Sequence, residues 1–199
     1  MDNVCVIIQG PVHNVERHIQ AWEDYYPIIS TWPISEWIGD IPVCQSVLPK
    51  DVGVGNVNLQ KTTTLAGLSF AKEHEFEYCV KIRSDLFPTN AKALIELMDP
   101  EKLNFIAKHR DKIDGFDGYL VDYFQFGKTD DLIRLWDIED IHSNSCAETV
   151  LLNNFYKYFR PENVGFFLDS LNGYNDLWWD RSNFFISSFL NDPAYRTKW

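Results

Sequence analysis

The sequence predicts an α/β sandwich built around a mainly parallel sheet. Short apolar runs of strand length recur along the chain, VCVIIQ at 4–9 and YCVKIR at 78–83 being the clearest. Segments with helical spacing of apolar residues lie between such runs, the order expected when helices cover both faces of a parallel sheet. The chain has 199 residues, 45% of them hydrophobic and 24% charged, which is enough for one sizeable core and unlike a disordered tail. The expected organisation is one domain over 1–199, ending in an aromatic-rich segment at 161–199.

Each element has a local reason. Residues 4–9 form a buried strand closed by the turn pair Gly10-Pro11. Residues 13–22 have helical character because Val15, Ile19 and Trp22 fall on one face. Strands at 27–32 (PIISTW) and 42–48 (PVCQSVL) precede a turn-rich loop, DVGVGNVN. Residues 59–73 read as a helix with Leu65, Leu68 and Ala71 along one side, and Gly67 lets it close on a sheet. Residues 78–83 are the fourth strand, after which Thr89 or Asn90 caps a helix through Met98. Strands at 104–107 and 119–126 flank the loop DKIDGFDG. Thr129 caps a helix over 130–136, and 145–159 forms another. Beyond residue 160 the pattern is harder to read, although 176–190 has the length of a helix that is apolar over much of its circumference.

Composition excludes some functions. Eighteen Lys plus Arg against 29 Asp plus Glu leave a net charge of −11, so the chain lacks the basic surplus of a nucleic-acid binder. A local basic pocket for one anion stays open. The aromatic content of 15% suits stacking on sugar rings or nucleobases and equally suits core filling. Cys5, Cys44, Cys79 and Cys146 show no metal-binding spacing, and read as reduced, buried thiols of a cytosolic protein. The start, MDNVCVIIQGP, is acidic with too short an apolar run for a secretory signal, and no segment reaches the roughly 18 apolar residues of a spanning helix. His13, His18, His74, His109 and His142 follow no pattern and are expected at the surface.

Ligands of open α/β sheets bind at the carboxyl ends of strands, where this chain places polar residues. The first strand ends in Gln9-Gly10-Pro11 and the fourth in Lys81-Ile82-Arg83-Ser84-Asp85. In an extended strand Lys81, Arg83 and Asp85 share a face. Two cations and a carboxylate there can grip a diphosphate, directly or through a divalent cation on Asp85. The plain alternative is an Arg–Asp or Lys–Asp ion pair, against which the apolar flanks weigh, since buried charges need a partner or a task.

Five segments, IIQGPV at 7–12, GNVNLQKTTTLAGLSFAKE at 55–73, YCVKIRSDL at 78–86, DYFQFGKTDDLIRLW at 122–136 and AETVLL at 147–152, resemble in order and spacing the WavE-type lipopolysaccharide-synthesis proteins. That resemblance implies a glycosyltransferase with a GT-A-like fold, a Rossmann-type α/β/α sandwich that binds a nucleotide sugar. In many such enzymes a D-x-D tripeptide holds Mn²⁺ or Mg²⁺ on the donor diphosphate. The matching tripeptide is Arg83-Ser84-Asp85, which keeps Asp85 as a metal ligand and puts Arg83 in place of the first carboxylate, so metal dependence stays open. The loop and helix start before that strand imply nucleotide contacts from Asn58, Gln60, Thr63 and Thr64, where helix N–H groups suit a phosphate or base carbonyl. For Asn58 alone, capping the helix is the better reading.

An inverting transferase needs a carboxylate to take the acceptor proton, and Glu148 at a late helix start matches the position such chains use. Ser145-x-x-Glu148 is equally a capping box. Asp122, in an aromatic strand-like run, suits a contact to acceptor or donor sugar, whereas Asp117 reads as a turn residue. The implied partners are a nucleotide-sugar donor and a saccharide or glycolipid acceptor, without nucleic acid. The implied location is the cytoplasm, with peripheral membrane contact left open. A sugar-phosphate nucleotidyltransferase is the first alternative, disfavoured by a first loop with one glycine (QGPVHNVERH), and a non-catalytic saccharide-binding module is the second.

Overall fold

The computed structural model describes residues 3–11, 15–33, 40–88, 90–108, 119–139 and 147–169. In chain order these form β1 (Val4–Gln9), α1 (Val15–Ala21), β2 (Tyr26–Thr31), β3 (Val43–Gln45), α2 (Val57–Glu73), β4 (Tyr78–Arg83), α3 (Ala91–Glu96), β5 (Leu103–Lys108), β6 (Tyr119–Lys128), α4 (Thr129–Trp136), α5 (Ala147–Tyr158) and β7 (Val164–Asp169). The strands make one seven-stranded sheet in the order β3-β2-β1-β4-β6-β5-β7. β6 runs against both its neighbours, β4 and β5, and the remaining pairings are parallel. The mainly parallel mixed sheet expected from the sequence is thus the sheet observed.

β1 is buried at all of its positions because cores lie on both faces of the sheet. Val4, Val6 and Ile8 join Trp22, Val80, Ile82, Leu94, Ile95, Phe124 and Phe126 in one core. Cys5 and Ile7 join Leu68, Ala71, Leu132, Leu135, Trp136, Leu151 and Phe155 in the other. Each fully buried aliphatic of this kind contributes roughly 1.5–3 kcal/mol, so a short strand carrying no charged residue anchors the whole sheet. α2 packs across β1 and β2 and carries the chain from β3, on one side of β1, to β4 on the other. Gly67 is the point of closest approach: a Cβ there would lie 2.4 Å from Ile7 Cγ2 and 3.2 Å from Ser30 Cβ.

Several local expectations are corrected. α2 begins at Val57, two residues before the expected start, and its N-cap is Asn56, left-handed at φ 62° and without a side-chain cap bond. Asn58 is therefore inside the helix. Thr129 is the first residue of α4 rather than its cap, and its hydroxyl donates to the Phe76 carbonyl at 2.6 Å. Asn90 caps α3 by accepting from the Ala93 N–H at 3.0 Å, and that helix stops at Glu96, short of Met98. On α1 the buried residue is His18, and Trp22, just beyond the end of the helix, is buried as expected, while Ile19 is 38% exposed, so Ile19 leaves the expected inward face and His18 is not a surface residue.

Cys5 and Cys79 are free, buried thiols on paired strands, but Cys44 is only half-buried. β7 adds a strand where the sequence is hard to read. The expected helix at 176–190, the loop at 111–118 with Asp117, Ser145, Cys146, Thr89, His13, His109 and His142 lie outside the described residues. No helix among the described residues is long and apolar enough to cross a membrane.

Replacing Gly67 by Ala tests the close approach of α2. The added methyl group must displace the fully buried Ile7, which outweighs the better helix propensity of Ala, and the expected result is a net loss of about 1–2 kcal/mol in denaturant unfolding. A variant as stable as the parent would show that the contact is slack.

Candidate active site at the edge of the central strands

The chain moves from β1 outward to β2 and β3, then returns across the sheet to β4 on the opposite side. The gap between the carboxyl ends of β1 and β4 is therefore the switch point where open α/β sheets bind ligands. Parallel pairing sets Gln9 directly beside Arg83 there. The two predicted strand-end motifs thus meet at one edge.

Gln9 is nearly buried, and its Nε2 donates to Thr63 Oγ1 at 2.9 Å. Thr63 in turn donates to the Leu59 carbonyl at 2.9 Å. Its own carbonyl accepts from Ser30 Oγ at 2.5 Å. The Ser84 N–H donates to the Gln9 carbonyl at 2.9 Å, and the Gly10 N–H to the Ser30 carbonyl at 3.1 Å. Gly10 adopts φ 125°, which a side chain rarely allows, and a Cβ would meet Ser84 Oγ at 2.9 Å. Pro11 follows, half-buried. These bonds make a rigid ledge in which Gln9, Gly10 and Ser84 are tied to α2 and β2.

Beneath the edge, Lys81 is fully buried. Its Nζ donates to the Asp122 carbonyl, lies 3.8 Å from Asp122 Oδ2 and stands 5.0 Å from the Trp136 ring centroid. Burial pushes its ammonium down to about 8, with Asp122 opposing the shift. Trp136 Nε1 donates to Oε1 of Gln125, the residue opposite Lys81, at 2.6 Å. Lys81 is therefore the buried counter-ion of Asp122, and the expectation that it grips a ligand directly is corrected: no surface of it reaches the edge.

Asp122 faces Lys81 because β6 is irregular. Phe105 pairs with Gln125, whereas Ala107 pairs with Leu120, so extra residues of β6 are accommodated between them. Leu120 lies in the α2-side core while Phe124 and Phe126 lie in the other, which strict alternation would forbid.

Arg83 and Asp85 remain partly open, at 24% and 17% exposure of their side chains. Arg83 Nε donates to Asp85 Oδ1 at 2.9 Å and Nη2 to Asp85 Oδ2 at 2.5 Å. The guanidinium also lies 4.8 Å over the Tyr123 ring. Burial works against this cation, yet the Asp122 and Asp85 carboxylates more than offset it and raise its pKa. The Arg–Asp ion pair that the sequence disfavoured is thus present. Glu148 is half-buried in the first turn of α5, and its charge is a lesser influence on Lys81 and Tyr123.

The remaining predicted residues lie on α2. Asn58 is buried and its Nδ2 donates to the Asp51 carbonyl at 3.1 Å, which pins the loop before α2. Gln60 Nε2 donates to the Gly55 carbonyl at 3.1 Å. Thr63 and Thr64 are fully buried, so neither presents its hydroxyl to the edge. Buried threonines in a helix look the same in sequence as solvated ones.

Three residues that the sequence did not single out belong to the site. Tyr123 is the platform under Arg83, and Trp136 closes the Lys81 pocket. His18, reaching over from α1, meets the Ser84 carbonyl through Nε2 at 2.8 Å and packs 4.3 Å from the Phe87 ring. Its spacing of four residues from Trp22 was the available signal. Burial pushes its pKa down to about 4, the Ser84 carbonyl opposing. A neutral His18 donating from Nε2 leaves Nδ1 buried and without a partner among the described residues.

A divalent cation, implied by the GT-A-like resemblance, needs carboxylates whose charge is not already neutralised by a side-chain cation. Both oxygens of Asp85 accept from Arg83, and no three His, Cys, Asp or Glu side chains cluster as a metal cage among the described residues. The donor set at this corner does not fit such a cation.

Two substitutions test the geometry. Lys81→Met leaves the Asp122 carboxylate buried without its counter-ion, and unfolding near neutral pH is expected to show a loss of about 3–5 kcal/mol. A loss under about 1 kcal/mol would mean the pair is solvated. For His18, whose folded pKa lies below its ordinary 6.5, the unfolded chain binds the extra proton first as pH falls. Its contribution is complete above 6.5 and disappears toward 4. The stability advantage of the parent over His18→Gln should therefore shrink across that window, and a constant difference would place His18 in water.

No protein-family model matches the chain, and no curated protein matches its sequence. Among solved structures it is similar to a protein from Desulfovibrio desulfuricans G20 provisionally named a nucleotide-diphospho-sugar transferase, with TM-score 0.52 and 12% identity over 98% of this chain and 94% of that one. It also matches a glycosyltransferase involved in the glycosylation of the major capsid of PBCV-1, with TM-score 0.48 and 13% identity over 83% and 80% of the two chains. At such identity the first likeness concerns the fold: the chain has the GT-A-like α/β architecture of that structure.

Proposed function

We propose that this chain is a glycosyltransferase that moves a sugar from a nucleotide-sugar donor to a hydroxyl of a saccharide acceptor. More finely, we propose that it works in polysaccharide or lipopolysaccharide synthesis, as the WavE-type segments imply. The observation that carries the reading is the placement of a partly open Arg83, backed by Tyr123, at the switch point of this sheet. The name given to the Desulfovibrio structure supports the same reading. The free thiols of Cys5 and Cys79 on paired strands fit a reducing compartment, hence the cytoplasm, where a glycolipid acceptor would be met at the membrane surface.

The chemistry divides among residues at hand. The acceptor oxygen attacks the anomeric carbon as the bond to the diphosphate oxygen breaks, and both electrons of that bond leave with the diphosphate. Charge builds on the leaving group, and a prepositioned guanidinium is suited to meet it. Glu148 takes the acceptor proton. The ledge of Gln9, Gly10 and Pro11 takes the nucleotide, with Thr63 and Ser84 holding that ledge in place. Asp122 stays under the site as the partner of Lys81 and fixes the start of the Tyr123 platform.

A panel of nucleoside diphosphates in a thermal-shift screen tests the substrate class, because selective binding to the native state raises the melting temperature. One nucleotide is expected to stabilise the chain, and Arg83→Gln to weaken its binding about tenfold or more. Glu148→Gln should keep that binding while donor turnover falls by about 10²–10⁴. If no nucleoside diphosphate stabilises the chain, the glycosyltransferase reading is wrong. Full turnover by the Glu148 variant would remove that residue as the base.

A further inference from the structure

Arg83 presents its planar fork to both oxygens of Asp85, at 2.9 and 2.5 Å, in the two-point geometry by which a guanidinium also holds two phosphate oxygens. The pair sits at the mouth of the site and is partly exposed, unlike the sealed Lys81–Asp122 pair below it. The Tyr123 ring under the guanidinium keeps the fork oriented whether or not the carboxylate is present. The backbone between the two residues is fixed from both sides, by Ser84 N–H on the Gln9 carbonyl and by His18 Nε2 on the Ser84 carbonyl. Asp85 lies in the turn that follows β4, next to this fixed backbone, so any incoming anion must compete with it side chain against side chain. With Lys81 already matched to Asp122, Arg83 is the cation of this cluster that reaches the edge.

We propose that Asp85 is an internal stand-in for the donor diphosphate, occupying the Arg83 fork until the donor arrives, and that this chain takes the diphosphate on Arg83 without a divalent cation. The inference rests on the glycosyltransferase reading above and gives the D-x-D-like position the opposite role to cation ligation. A stand-in carboxylate competes for the fork and repels the incoming phosphates. Its removal strengthens anion binding, whereas removal of a metal ligand weakens it.

Calorimetric titration with inorganic pyrophosphate, in EDTA and again with Mn²⁺, decides between these. The unmodified chain is expected to bind pyrophosphate in EDTA and to gain nothing from Mn²⁺. Asp85→Asn should bind about tenfold tighter, the scale expected when a charge-assisted competitor is lost, and Arg83→Gln about tenfold weaker in both buffers. Binding that appears only with Mn²⁺, or an Asp85→Asn variant that binds no tighter, overturns the proposal while leaving a diphosphate-binding transferase in place. If the unmodified chain takes up neither pyrophosphate nor any nucleoside diphosphate in either buffer, the function itself falls with it. The EDTA and Mn²⁺ comparison uses the unmodified chain, so the test of metal dependence is independent of how the variants fold.

Discussion

The parallel pairing of β1 with β4 is the constraint on which the rest depends. β1 is apolar on both faces and β4 on one, so neither can shift by one residue without moving a whole set of side chains into the wrong core. That register fixes Gln9 beside Arg83. The crossover through α2 that makes the pairing possible is itself permitted by one missing side chain, at Gly67, where the helix meets Ile7 and Ser30. The switch point, and the ledge built on it, follow from that close approach.

Charge is arranged around this edge in two tiers. The lower tier, Lys81 with Asp122, is sealed by Trp136 and Gln125. A buried ion pair is seldom retained for stability alone, since apolar residues of similar volume do as well or better. Here the lower pair holds the irregular start of β6, and so holds Tyr123, in place. The upper tier, Arg83 with Asp85, is half open and therefore exchangeable. An electrostatic site works when its charges are prepositioned and need no rearrangement of solvent, and the stacked guanidinium meets that condition.

Much of the fold is legible in the sequence because the strands are short and strongly apolar. The boundaries of β1 and β4 are readable to the residue, since Gly10 and the polar run after Ile82 end them locally. The start of α2 is not, because its N-cap is Asn56 in a left-handed conformation with no side-chain bond, a geometry that leaves no capping signature. β6 misleads in another way: its irregularity turns Asp122 toward Lys81, and no periodicity in the sequence announces it. The tripeptide at 83–85 is legible as a polar strand end, but nothing in the sequence shows that both oxygens of Asp85 are taken by Arg83.

By itself the sequence determined the architecture, because hydrophobic periodicity and turn residues are local properties. It also determined which strand ends carry polar residues. Only the tertiary structure decided which of those residues face water. Lys81 and Arg83 are two residues apart on one strand and lie on the same face, yet Lys81 is sealed and Arg83 is open. The difference comes from Trp136 and Asp122, distant along the chain and brought close only by packing. His18 is the same case: a lone histidine in sequence, it is buried against Ser84 because α1 folds over the edge of β4. Burial is a property of neighbours, and distant neighbours are settled by the fold.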